Sequence, residues 1–212
     1  MTTTWDHLPT VIAANNIPGP GQGHWTYRDY ASLPDDGKRY EIVDGVLFMA
    51  PSPDRWHQKA AGRLFSYLLR YIEDAGVGEV YTAPFDVVLE PGVVVQPDII
   101  VVLAANLNKI TDKRIIGAPD LIIEVASPST AGFDRREKQN AYARAGIPEY
   151  WIVDPAAHTI EVLVLEGAAY YSYGVFQGKA TLPSKIVPEF PVHVEKFFAQ
   201  RPFPSQSDDV PQ

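Results

Sequence analysis

The stretch Asp120-Leu-Ile-Ile-Glu-Val-Ala126 decides how the rest of the chain is read. It is a short apolar run between a polar loop and Ser127-Pro128, the pattern of a strand covered on both faces. Upstream, Val93–Leu103 is a second apolar run, interrupted by Pro97, which cannot donate to a ladder and so implies a bulge or a break. Phe85–Glu90 and Glu79–Ala83 precede it as further strands. Downstream, residues 134–145 read as a helix closed by Gly146 and Pro148. Tyr150–Val153 and Thr159–Leu165 then read as strands around an Asp154-Pro155 turn, and the last third carries more β signal.

Toward the N-terminus, Arg39-Tyr-Glu-Ile-Val-Asp-Gly-Val-Leu-Phe-Met49 is two β-rich runs around Asp44-Gly45, a strong hairpin signal. Pro53–Gly76 is the clearest helix: His57, Ala61, Leu64, Leu68, Tyr71, Ile72 and Ala75 share one face. A short helix is expected from the cap Thr26 to before Pro34. The sum is an α/β (α+β) protein, a mixed β-sheet flanked by helices, with an N-terminal β-hairpin and extra C-terminal strands.

With 212 residues, 46% of them hydrophobic, the chain is long enough for one domain with a sizeable core. It has no cysteine, which excludes disulfides, thiol nucleophiles, Cys-based zinc sites and iron–sulfur clusters. The formal charge is 18 − 26 = −8, which excludes a broadly basic nucleic-acid coat. The N-terminus lacks a signal-peptide pattern, and the longest apolar run, Ile99–Ala105, is too short for a membrane helix. A cytoplasmic protein is expected. Residues 18–23, Pro-Gly-Pro-Gly-Gln-Gly, read as a linker, so residues 1–24 form a flexible arm, 25–198 the domain and 199–212 a disordered tail.

Two acidic residues stand where acids rarely do. Asp98 directly precedes Ile99-Ile-Val-Val102, and Glu124 interrupts Leu121–Ala126. Burying a lone carboxylate costs several kcal/mol, so the pair points to a shared cation, unless each has an arginine partner or reaches water at a strand end. Lys138 shares a helical face with Tyr142 and Ala145 and would aim inward if these pack on the sheet. The plain alternative is a surface ion pair with Asp134. Two carboxylates and an inward lysine suit metal-assisted phosphodiester chemistry.

The blocks Tyr40-Glu-Ile-Val-Asp-Gly45, Gln96-Pro-Asp98, Glu124-Val-Ala-Ser-Pro-Ser-Thr130 and Ala145-Gly-Ile-Pro-Glu-Tyr-Trp-Ile-Val-Asp-Pro155 resemble the Uma2 family of restriction-endonuclease-like proteins, in the PD-(D/E)XK nuclease superfamily. The resemblance runs from about Trp25 to Phe198. It departs at one point: Ala126 stands where the superfamily pattern has its lysine, and Lys138 on the following helix is the natural replacement, with Lys109 and Lys113 as alternatives. The resemblance implies a Mg²⁺- or Mn²⁺-dependent endonuclease acting on nucleic acid, DNA first. It implies that Asp98 and Glu124 ligate the metal with the main-chain carbonyl of Val125. It also brings Glu41, otherwise an exposed strand residue, and His57, otherwise a core histidine, to the site. A homodimer is expected by analogy, with the aromatic segment Tyr170–Phe176 as core and interface.

No Gly-x-Gly-x-x-Gly, P-loop or Gly-x-Ser-x-Gly occurs, and Ser127, Ser129 and Thr130 read as turn and cap residues. Two readings compete with the nuclease: a nuclease-fold module that binds metal or nucleic acid without turnover, and a carboxylate-pair hydrolase acting on glycosides. Residues 106–146 carry seven basic and five acidic side chains, 7 − 5 = +2, so phosphate would be met locally and with help from the metal.

Overall fold

The computed structural model describes residues 11–127, 131–187 and 190–198. The first ten residues, the turn expected around Pro128–Thr130 and the tail expected at 199–212 lie outside them. Among the described residues the strands form two mixed six-stranded sheets rather than the one sheet read from sequence.

The N-terminal half builds the first sheet. β1 (Ile12–Ala13) pairs with the hairpin β2 (Arg39–Val43) and β3 (Val46–Ala50), preceded by α1 (Tyr27–Tyr30). Thr26 caps α1 in a reciprocal box with Asp29. The hairpin turn has positive φ at both Asp44 (52°) and Gly45 (72°), as a two-residue turn of this hand demands. A side chain at position 45 would also collide with the Gly23 carbonyl oxygen, 2.5 Å from where its Cβ would lie. After α2 (Arg55–Leu68), which continues as one π turn over Leu69–Glu73, come β4 (Gly78–Thr82), β5 (Asp86–Glu90) and β6 (Val93–Val95). Because the helix ends at this turn, Ala75 is exposed instead of joining the apolar face.

Pro97 does more than interrupt a strand: it moves the chain from one sheet to the other. β6 lies in the first sheet, between β2 and β5, whereas β7 (Ile99–Leu103) lies in the second, between β9 and β4. A 3₁₀ turn (Ala104–Lys109) and β8 (Arg114–Ile116) follow, and β8 closes the first sheet parallel to β5. The second sheet continues with β9 (Leu121–Val125), β10 (Glu149–Asp154), β11 (Thr159–Glu166) and β12 (Ala169–Gln177). β9 and β10 are parallel, so a crossover must join them. It runs through α3 (Ala131–Phe133), a π turn (Asp134–Lys138) and α4 (Gln139–Ala145), which Gly146 ends in a left-handed conformation. A last short helix, α5 (Glu195–Phe198), packs on α2.

The second sheet is buried on both faces, as its continuous apolar strands require. One face, with Ile99, Val101, Leu121, Ile123 and Trp151, meets α2 and the C-terminal segment through Phe190 and Phe197. The other, with Ile100, Val102, Ile122 and Tyr150, meets α4 and Val43, Val87 and Val95 of the first sheet. No helix of the described residues is long and apolar enough to cross a membrane.

Candidate active site

The period of two along each strand aims the polar residues into the space between the sheets. On β2, Tyr40 and Ile42 fill a cluster on the outer side, which turns Glu41 inward beside Val43. On β9, Glu124 points the same way as Ile122. The ladder pairs Ile99 with Ile123, so Asp98, one residue before β7, stands across from Glu124. The crossover brings Lys138 between Glu41 and Glu124.

Lys138 is 4% exposed. Its Nζ donates to Glu41 at 2.8 Å (Oε2) and 2.9 Å (Oε1), and to Glu124 Oε1 at 3.0 Å. One turn further along the helix, Tyr142 donates its hydroxyl to the same Glu124 oxygen at 2.7 Å. Glu41 Oε1 also accepts the backbone N–H of Gln96 at 2.7 Å. The Gln96 side chain is fixed in turn: its amide donates to Asp86 at 2.9 Å and Tyr30 at 3.0 Å, and it accepts from Arg39 Nε at 3.2 Å.

Asp98 Oδ2 accepts the backbone N–H of Val125 at 2.8 Å and lies 3.0 Å from His57 Nε2. His57 opens α2, held there because Asp54 accepts its backbone N–H at 2.9 Å. The other ring nitrogen, Nδ1, is buried with no hydrogen-bond partner among the described residues. Glu41, His57, Gln96, Asp98, Glu124, Val125 and Lys138 all line one cleft of about 50 Å³, room for an ion and a few water molecules.

The five site residues singled out in the sequence therefore meet in one place. The Lys138 ammonium does not lie at the surface, as the alternative reading would have it: it is buried against Glu41 and Glu124. Lys109 donates instead to the Ala118 carbonyl at 2.7 Å, and Lys113 is exposed; neither lines the cleft. Glu41 is 4% exposed, not a solvent-facing strand residue. The arginine partners considered for Asp98 and Glu124 are replaced by His57 and Lys138. Sequence reading missed Tyr142 as a hydrogen-bond donor, although its place one turn after Lys138 on the same face was the available signal. It also passed over Gln96, which figured only as the first letter of a motif.

Burial, then the charges of Glu124 and Glu41, holds the Tyr142 phenol well above its ordinary value, so it remains a neutral donor. Burial likewise raises Tyr30 and Tyr170, and raises Tyr81 to about 12 with help from Glu79. The unfolded chain gives up these protons from about pH 10, while the folded chain keeps them. Their contribution to stability is complete below pH 10 and is lost as pH climbs toward the folded values. Thermal melts followed by circular dichroism should show a lower Tm at pH 11 than at pH 9. Tyr170→Phe, which removes one of the four phenols, should reduce that drop; an unchanged Tm across the range would contradict the assignment.

A divalent cation can be tested against this donor set. Glu41, Asp98 and Glu124 contribute three formal negative charges and Lys138 one positive, −3 + 1 = −2 for these four side chains, which are only 5–11% exposed. Like charges opposed across a ladder are unfavourable, and buried charge in excess needs a counter-ion. The donors are hard oxygens. Among the described residues no three acidic or histidine side chains form a closed cage. Asp98 and Glu124 are oxygen donors of the kind that a hard divalent cation takes, one or two carboxylates with water completing the shell. The residues fit.

Comparison with known proteins adds two findings. A family model, Uma2, described as "Putative restriction endonuclease", matches residues 27–195. Among solved structures, a putative nuclease belonging to DUF820 from Anabaena variabilis has the same fold. Its TM-score is 0.67 at 20% sequence identity, over 82% of this chain and 97% of that one. No curated protein matches.

Proposed function

Since this chain belongs to the Uma2 family, we propose that it is a divalent-metal-dependent endonuclease that hydrolyses phosphodiester bonds of DNA in the cleft between its two sheets. The observation that carries this reading is the buried excess of negative charge where Asp98 faces Glu124, with a lysine at its edge. Asp98, Glu124 and the main-chain carbonyl of Val125 would hold Mg²⁺ or Mn²⁺, which when bound supplies a nucleophilic water at neutral pH and offsets charge on the phosphate.

The chain's own residues divide the remaining work. Asp98 meets His57 and the Val125 N–H through Oδ2, which leaves Oδ1 for a cation. Tyr142 and Lys138 both bond Oε1 of Glu124 and so fix its orientation. Glu41 holds the Lys138 ammonium aimed at the cleft, where it can meet a non-bridging phosphate oxygen. In the hydrolysis one water is consumed: its oxygen bonds to phosphorus, the P–O bond to the leaving sugar oxygen breaks, one of its protons goes to that oxygen and the other to solvent. The exposed Tyr171, Tyr173 and Val175 on the edge strand β12 support a homodimer joined there, with one site for each strand of a duplex. A cytoplasmic location goes with such a substrate.

Incubation of the pure protein with plasmid DNA and with RNA tests the reading. Cleavage of DNA in Mg²⁺ or Mn²⁺ that stops in EDTA is expected. Binding without cleavage in either metal would favour the inactive module, to which Ala126 in the usual lysine position points. Cleavage that persists in EDTA would contradict metal dependence.

A further inference from the structure

Helix α2 carries residues that the cleft does not use. Arg55, Lys59 and Arg63 recur every four residues, so they form one cationic row along the helix, about 12 Å from first to last at 1.5 Å per residue. The helix contains no acidic residue, in a chain whose formal charge is −8. Trp56 is 36% exposed, with the Arg55 guanidinium 4.2 Å and the Lys59 ammonium 5.8 Å from the centre of its ring.

Trp56, Lys59 and Arg63 form one wall of a shallow groove, and Pro155, His158 and Phe198 the other. His158 is exposed in the β10–β11 turn and stacks on Phe198, ring centres 5.1 Å apart and planes within 9°. Its φ of 56° is a left-handed conformation uncommon for a residue with a side chain, and the turn holds it there. Arg63 is braced by a hydrogen bond of 3.3 Å to the Lys196 carbonyl. The groove starts beside the cleft: Trp56 immediately precedes His57, whose Nε2 reaches Asp98.

Flat rings interleaved with cations make the surface a single nucleic-acid strand meets: bases stack on the rings and phosphates sit against the cations. Paired bases inside a duplex are stacked on one another and have no free face to give Trp56. We propose that this groove binds an unpaired stretch of the substrate as it leaves the cleft, with a base on Trp56 and phosphates along Arg55, Lys59 and Arg63. The proposal rests on the nuclease reading and sharpens it: the favoured substrate is a duplex that carries a single-stranded flank.

Fluorescence anisotropy on the Asp98→Asn protein, in which cleavage is expected to be lost, tests this with a short blunt duplex and the same duplex bearing a single-stranded tail. The tail should tighten binding about tenfold, and Trp56→Ala should remove that gain while Trp56→Phe keeps most of it. Lys59→Gln should reduce the salt dependence by about one phosphate contact. Equal affinity for both duplexes, or a tail effect that survives Trp56→Ala, would overturn the proposal. Cleavage of the blunt duplex separates the two readings. If wild type cuts it and the tail adds nothing, only the groove falls. If wild type cuts neither duplex in Mn²⁺ while Trp56-dependent tail binding persists, the groove stands and the nuclease reading falls.

Discussion

Lys138→Met should lower folding stability by about 3–5 kcal/mol, the usual consequence of removing one member of a buried charge network. The reason is local. The ammonium makes three contacts of 2.8–3.0 Å with Glu41 and Glu124, and all three side chains are 5% exposed. Methionine fills similar volume but donates nothing, so two carboxylates remain facing each other without their cation. In a chain of this length each kcal/mol moves Tm by roughly 2–4 °C, so a fall on the order of 10 °C is expected. Chemical denaturation measures it. Adding Glu41→Gln to Lys138→Met removes one of the stranded charges, so the double variant should be less destabilised than the two single changes summed. A solvent-facing lysine would change stability by no more than about 0.5 kcal/mol, and that result would dissolve the network.

The second large effect is on rate. Asp98→Asn should reduce kcat/KM for DNA about a thousandfold or more while the protein stays folded. Asparagine keeps an oxygen to accept the Val125 N–H, and the Glu41–Lys138–Glu124–Tyr142 network does not include position 98. What the substitution removes is the negative charge opposite Glu124. Each 1.36 kcal/mol is a factor of ten in rate, and a cation at a phosphate contributes several kcal/mol of transition-state stabilisation. Steady-state cleavage rates beside a thermal melt of the same preparation separate lost chemistry from lost folding.

Much of this was legible because the signals were local. Asp44-Gly45 announces the hairpin since only a few residue pairs accept positive φ twice in a row. The uninterrupted apolar run at 121–125 announces a strand with two covered faces, and an acid within it announces a buried charge. Lys138 could be aimed inward by helical period alone, because the face it shares with Tyr142 is the one that packs. Other features depend on the fold and left no local trace. Pro97 marked a break in a strand, but nothing in its neighbourhood says that the chain changes sheets there. The π turn over Asp134–Lys138 has no sequence signature distinct from an α-helix. Glu149, fully buried and bonded by Trp151 at 2.6 Å, Ser184 at 2.6 Å and the Lys185 N–H at 2.8 Å, shows that a buried acid can serve structure alone. Its donors lie up to 36 residues away, which is why no short motif revealed it.

The central claim is that the paired carboxylates between the sheets hold a divalent cation, and calorimetric titration with Mn²⁺ addresses it directly. Wild type should bind Mn²⁺ at a saturable site, and Asp98→Asn, folded by its thermal melt, should have lost that site. Wild type that takes up no Mn²⁺ even with DNA present, or an Asp98→Asn protein that binds it equally well, would contradict the account.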